Sequence, residues 1–295
     1  MAENNYRSFT FARVAALTGN TFTGLVRLRV FYFLLLFALL LIGCSVFLAH
    51  LTFQQEFQIL KDVSLGAMSI FSSLLAILAT ARLLPRDLED RTIYTILAKP
   101  VPRYEYLIGK LGGVLLLLVL GIVAMSALFL GLLFVREQML VGATLHASAG
   151  LPPVEAQEAV RALKASAFNT NLLPGIVLIF LKAALLASLT LFISTFATSN
   201  IFTVVVMVFI YFIGHLQATA RIYWMQEHGG GWLTHVFLGF VALVFPDLQL
   251  FNVVDDIVAG SAIPLALFGR TALLGCVYIS VYLFFAWVVF HGKEL

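Results

Sequence analysis

What most constrains this chain is the spacing of its apolar runs. Runs of span length occur at 31–50, 64–81, 111–135, 172–193, 200–217 and 266–290, separated by short polar stretches. A helix needs roughly 20 apolar residues to cross the ~30 Å hydrocarbon core of a bilayer. Within lipid, only helices and closed barrels satisfy every backbone N–H and C=O. Continuous apolar runs of this length read as helices and lack the alternation of strands. The expected fold class is therefore an all-α integral membrane protein with six transmembrane helices. Composition agrees, with 61% hydrophobic and 11% charged residues in a chain of 295, against about a quarter charged in soluble domains. A further apolar run, WLTHVFLGFVALVFP at 232–246, is too short to cross comfortably and reads as re-entrant or interfacial.

Lys and Arg set the expected orientation. With the amino terminus inside, eleven basic residues fall on the inner side: Arg7, Arg13, Arg27, Arg29, Arg82, Arg86, Arg91, Lys99, Arg103, Lys110 and Lys293. Six fall outside, namely Lys61, Arg136, Arg161, Lys164, Arg221 and Arg270, while Lys182 lies within span four. The bias puts both termini in the cytoplasm, so the expected location is the inner or plasma membrane, crossed several times. The net charge of +3 includes no long basic run, which excludes a nucleic-acid partner of the usual kind. Cys44 and Cys276 sit singly within apolar runs and are read as buried small hydrophobes. Residues 1–30 do not read as a secretory leader, because arginines are spread through them and the apolar run that follows is span-length. LIGC at 41–44 is similar to a lipoprotein cleavage box, but more spans follow it in place of a polar secreted domain. Residues 11–30 mix Arg with apolar residues, as expected of a helix lying on the bilayer face. The loop at 136–171 is expected outside, with a short helix over 153–166 begun by Pro153.

One segment stands apart from the apolar pattern. From Arg86 to Lys110 the chain holds five bases (Arg86, Arg91, Lys99, Arg103, Lys110) and four acids (Asp87, Glu89, Asp90, Glu105), with Pro100 and Pro102 close together. Pro85 and Asp87 read as a helix start, with Glu89 and Asp90 in its first turn. Ile93, Ile96 and Leu97 then form one apolar stripe. The helix should stop at Lys99, because the residue before a proline avoids the α region. From Pro102 a new helix is expected to run through span three to about Val135, roughly 50 Å at 1.5 Å per residue. A short amphipathic helix on the inner face is thus tied by a stiff corner to a transmembrane helix. Its near-neutral mixed charge suits a protein partner better than anionic lipid, which favours basic clusters, and suits equally an ordinary interfacial helix with a solvated face.

The stretch LEDRTIYTILAKPVPRYEYLIGKLGG resembles the signature that follows span two in type-2 ABC transporter permeases. Glu89, Arg91, Thr92, Leu97, Pro100, Arg103, Gly109 and Lys110 occupy the motif positions, and Pro102 departs from the commoner serine. LFISTFATSN at 191–200 and FPDLQLFNV at 245–253 are weaker likenesses. The resemblance implies a coupling helix that docks on a cytoplasmic ABC ATPase, with 82–110 as the coupling segment of a permease domain at 31–295. It also implies re-entrant outer helices over 232–264, a second permease copy (homodimer or paired permease), and a lipid-embedded exporter subunit that does no bond chemistry itself. The residues expected to couple to the ATPase are Arg86, Asp87, Glu89, Arg91, Thr92, Lys99, Pro100, Pro102 and Arg103. ATP and Mg would be held by the partner, since this chain has no Walker A pattern and no GxSxG or HExxH. No catalytic or metal residue and no cofactor is assigned to the chain itself.

Competing readings rest on fewer residues. His215, Glu227, His228 and His235 could gather at the outer mouth around a metal, though their spacing fits no standard ligand pattern. Asp255-Asp256 is similar to one acidic motif of membrane prenyltransferases, which need two, and is read as cap or loop carboxylates. These residues support the alternative of a membrane-embedded enzyme or metal-handling protein; a non-transporting anchor subunit is a third reading. Lys182, mid-span, costs about 2.5–3.5 kcal/mol on insertion scales. It is read as lining the translocation path, against the alternative of a lysine that snorkels or bonds backbone carbonyls. Gly109, Gly113, Gly121 and Gly131 punctuate span three, and the first two allow close helix approach, within the chain or between copies.

Overall fold

A computed structural model of the chain describes residues 10–50, 56–89, 102–147, 153–168, 171–197, 199–228, 232, 245–252, 254–259 and 264–292. The described residues form ten α-helices and one 3-10 turn, with no strand among them. In chain order the helices are α1 (Phe11–Val26), α2 (Arg29–His50), α3 (Glu56–Ala81), α4 (Leu83–Glu89), α5 (Arg103–Ala147), α6 (Pro153–Ala167), α7 (Leu172–Phe196), α8 (Asn200–His228), α9 (Val254–Ala259) and α10 (Leu265–His291). The 3-10 turn, Leu248–Phe251, precedes α9. Helices α2, α3, α5, α7, α8 and α10 are each long and apolar enough to cross a bilayer, which makes this a multi-pass membrane protein.

The six helices differ in what they bury. Helix α7 forms the centre: Ala183 to Leu191 are buried without a break, on every side of the helix. A helix that is apolar all round belongs inside a bundle or a membrane. Helices α3, α5 and α10 surround it, and α2 lies against α3 and α5. By contrast α2, α8 and α10 leave large apolar side chains such as Phe33, Phe209 and Phe284 exposed. In water such surfaces would be a liability; in lipid they need no partner. Cys44 and Cys276 are exposed on α2 and α10, which corrects their expected burial. The apolar phase accepts a thiol on the outside of the bundle as readily as in its core.

The helices also run further than the apolar runs that announce them. Helix α5 has 45 residues, about 68 Å long and over twice the hydrocarbon thickness. It continues past Val135 through residues expected in the loop, because no Gly-Pro break intervenes and Arg136 pairs with Glu56 of α3 at 3.0 Å. Helix α8 likewise extends beyond 217 to His228. The helix expected at 153–166 is α6, and Lys61 of α3 donates to the Ser166 carbonyl at its end at 2.6 Å. The 3-10 turn is drawn into the bundle. Leu248 and Phe251 are buried, and a Cβ on Gly214 of α8 would lie 2.8 Å from Leu248. A Cβ on Gly275 of α10 would meet the Phe251 ring at 3.1 Å and Leu181 at 3.9 Å, next to mid-span Lys182.

Pro85 and Asp87 do not begin a helix as expected. They lie within α4, which starts at Leu83 after a single-residue turn at Arg82. Asp87 is therefore not a cap, and its carboxylate is free to face α5. The helix expected over 88–98, with Arg91, Thr92, Lys99 and Pro100, falls on residues 90–101, outside the described residues apart from its first turn. Arg86 and Glu89 are described in their backbone course only, within α4.

Candidate functional site

The base of α5 ties four helices together at one end of the bundle. The helix begins directly after Pro102, whose carbonyl accepts from the Tyr106 N–H at 3.2 Å. A proline there loses no helical hydrogen bond, since the first N–H groups of a helix have no internal partner. Arg103 donates from one guanidinium nitrogen to the Phe290 and His291 carbonyls, at 2.9 and 2.7 Å. Those are carbonyls of the last turn of α10, so Arg103 satisfies groups that the helix leaves open and complements its negative end. The same guanidinium lies over the Phe290 ring, and Tyr106 stacks on that ring at 5.9 Å.

Two residues on from Arg103, Glu105 is fully buried. It accepts from the Thr10 N–H at 3.0 Å and pairs with Arg13 at 3.4 Å. Thr10 is the N-cap residue of α1 and makes no side-chain cap of its own. The α1 terminus is thus capped by a carboxylate from another helix, where an anion also meets the positive helix end. On another face Asp87 of α4 accepts from the Tyr106 hydroxyl and forms an ion pair with Lys110. Both side chains are largely removed from solvent, at 16% and 8% exposure.

Small residues then seat α1 on α5. A Cβ added to Gly109 would lie 2.6 Å from Leu17 Cβ, one on Gly112 2.8 Å from Thr18 Oγ1, and one on Gly113 2.6 Å from Thr21 Cβ. Thr18 donates to the Gly109 carbonyl at 3.2 Å. Contacts at 105, 109, 112 and 113 are met in order by 10–13, 17, 18 and 21, so α1 runs alongside the base of α5 in the same direction. The Gly109/Gly113 face serves packing within the chain, and Gly112 belongs to it. Gly121 meets Leu75 of α3 at 3.5 Å, while Gly131 has open space before it.

Of the residues expected to couple, the structure thus brings Asp87 and Arg103 into one network, with Pro102 at the head of α5. Sequence reasoning left Glu105 and Tyr106 without a role, although both stand in the polar segment that drew attention. Arg13 was counted only for charge.

The second polar centre is at mid-bundle. Lys182 of α7 is 2% exposed. Its ammonium donates to Ser69 Oγ of α3 at 3.1 Å and lies 2.9 Å from His215 Nε2 of α8. The third side is the Tyr211 ring, at 5.7 Å. His215 Nδ1 stands 2.8 Å from the Tyr211 carbonyl. A carbonyl only accepts, so Nδ1 carries the proton, and Nε2 of the neutral ring is left to accept from Lys182. The ammonium is therefore held within the chain by groups of α3 and α8. His215 belongs to this cluster. Among the described residues no three His, Cys, Asp or Glu side chains gather around a possible ion. The side chains of Glu227 and His228, and all of His235, lie outside the description. Asp255 and Asp256 fall within α9.

The family model described as ABC-2 family transporter protein matches residues 26–295, nearly the whole chain. Among curated proteins none matches.

Proposed function

From the premise that this chain belongs to the ABC-2 family of transporter proteins, we infer that it is the permease subunit of an ATP-driven exporter. The membrane subunit of a transporter is what the family supplies. Our reading adds a separate cytoplasmic ABC ATPase that binds ATP and Mg, a second permease copy, and a basal end of the bundle that faces the cytoplasm with both termini.

The observation that carries this reading is the α5 base. Residues 90–101 join α4 to α5, and the two helices flanking them are locked to each other through Asp87, Tyr106 and Lys110. Arg103 extends the lock to α10, and Glu105 extends it to α1. A force applied to 90–101 would therefore move α4 and the base of α5 as one body. A 45-residue helix then carries the displacement through the membrane. Rigid secondary elements and hydrogen-bond or ion-pair networks are among the carriers of coupling between distant sites. Glu89, Arg91, Thr92, Lys99 and Pro100 would present the docking surface, with Arg86 beside it. Arg103 and Asp87 would hold that surface in register from behind. Lys182 enters as part of the polar seam between α3, α7 and α8, which would part as the path opens and expose the ammonium. Residues 232–264, of which 233–244, 253 and 260–263 lie outside the described residues, would form the re-entrant outer region.

The test is co-purification of the full chain with its candidate ATPase. Reversing charge at Glu89 and Arg91 together should abolish the complex and leave the folded permease intact. Retention of the complex by that variant would overturn the coupling assignment.

A further inference from the structure

A cavity of about 240 Å³ lies at the basal end of the bundle, away from both polar centres. Its walls include Leu28 and Phe31 at the α1–α2 corner, Leu78 of α3, Leu117 of α5 and Val204 of α8. Arg82 is the one cation among the described residues of its lining and is exposed. Arg27 and Arg29, also exposed, flank Leu28 at the same corner. No acid stands among the described residues of the lining. Among the described residues none of these three arginines has an ion-pair partner.

We propose that this cavity holds an acyl chain of an anionic membrane phospholipid, with its phosphate on Arg82, Arg27 and Arg29. Depth is the first argument. Arg29 opens the α2 span and Arg82 directly follows α3, so all three arginines mark the level at which spans leave the hydrocarbon. Cations there meet lipid headgroups, and the cavity wall lies within reach of the first methylenes. Wall chemistry is the second. Apart from Arg82 and Asn200 its described lining is apolar, which suits an acyl chain. Charge is the third, because basic pockets between transmembrane helices select anionic headgroups. Asn200 also stands on the lining, and among the described residues its buried side-chain oxygen has no hydrogen-bond partner. The occupant would wedge the α1–α2 corner against the start of α8. The inference is independent of the ATPase reading.

The test uses the full chain purified from membranes containing phosphatidylglycerol and phosphatidylethanolamine. Retained lipid is measured by mass spectrometry and stability by thermal unfolding in detergent. Wild type should retain phosphatidylglycerol in excess of its membrane share, and that lipid should raise the unfolding midpoint more than phosphatidylcholine does. Arg82→Gln should reduce the excess roughly fivefold, the factor that one surface cation supplies. Val204→Phe, which fills the cavity, should lower retention of both lipids. The coupling variants at Glu89 and Arg91 should retain lipid as wild type does. The proposal is overturned if retained lipid matches the membrane composition in wild type. It is equally overturned if both lipids stabilise alike, if neither variant changes retention, or if inorganic phosphate alone stabilises as much as phosphatidylglycerol.

Discussion

Replacing Asp87 by Asn should be among the most damaging single-atom changes available in this chain. Asp87 meets both the Lys110 ammonium and the Tyr106 hydroxyl. Asn keeps a hydrogen-bond acceptor for Tyr106 but leaves the Lys110 charge, 8% exposed, with no counter-ion in the pair. Breaking a buried ion pair from one side destabilises by about 3–5 kcal/mol. Asp87 retains some contact with water, which reduces the figure to about 2–4 kcal/mol. Lys110→Met should be milder, about 1–2 kcal/mol, because Asp87 keeps the tyrosine bond and its own hydration. The double variant strands no charge and should lose only about 1–2 kcal/mol. The four proteins form a double-mutant cycle, read by thermal unfolding in a single detergent. At ~2–4 °C per kcal/mol for a chain of this size, Asp87→Asn should lower the midpoint by about 5–15 °C. The double variant should recover most of that loss. Deficits that simply add, or a single variant that unfolds with wild type, would refute the claim that this pair locks α4 to α5.

Three further outcomes follow from the same geometry. Gly113→Val should loosen α1, since even a Cβ meets Thr21 Cβ at 2.6 Å and the Phe22 backbone nitrogen at 3.0 Å. A loss of about 1–3 kcal/mol, with faster proteolysis within 10–28, is expected, while Gly131→Ala, with open space before it, should be neutral or slightly stabilising. Lys182→Met should fold and insert but leave His215 Nε2 without its donor, at about 1–3 kcal/mol. Transport should change, and His215→Phe combined with Lys182→Met should be less than additive in the unfolding midpoint. Gly214→Val should expel Leu248, whose side chain lies 2.8 Å from the added Cβ, and raise protease access at 245–252.

The sequence carried the architecture because lipid makes one rule dominate: a span must be long and apolar, and six runs satisfied it. It carried the Pro102 start of α5 for a similarly local reason, the missing N–H. It did not carry helix ends. Arg136, Glu137 and His146 read as loop, yet polar residues end no helix when a partner such as Glu56 meets them. Nor did it carry helix faces. On α7 every direction is apolar, so nothing marked Lys182 as facing Ser69 and His215, except the lysine itself and the serines of α3 at 69, 72 and 73. Cys44 and Cys276 faced outward for the same lack of contrast. The α1 seam was half legible: Gly109 and Gly113 announced a close approach, but the partner helix lies some ninety residues earlier. Glu105 and Tyr106 were visible as polar residues in the right segment. Their roles depended on α1 and α10, which no local pattern connects to them.

The central claim is that residues 90–101 and the α5 base transmit work from an ATPase to the membrane bundle. The most direct measurement is ATP hydrolysis by the candidate ATPase in proteoliposomes, with and without this chain. The account predicts that wild type stimulates hydrolysis. It also predicts that Arg103→Gln, which frees the α10 carbonyls but leaves Glu89 and Arg91 in place, preserves complex formation while uncoupling the stimulation. Hydrolysis indifferent to this chain, or full stimulation by Arg103→Gln, would contradict it.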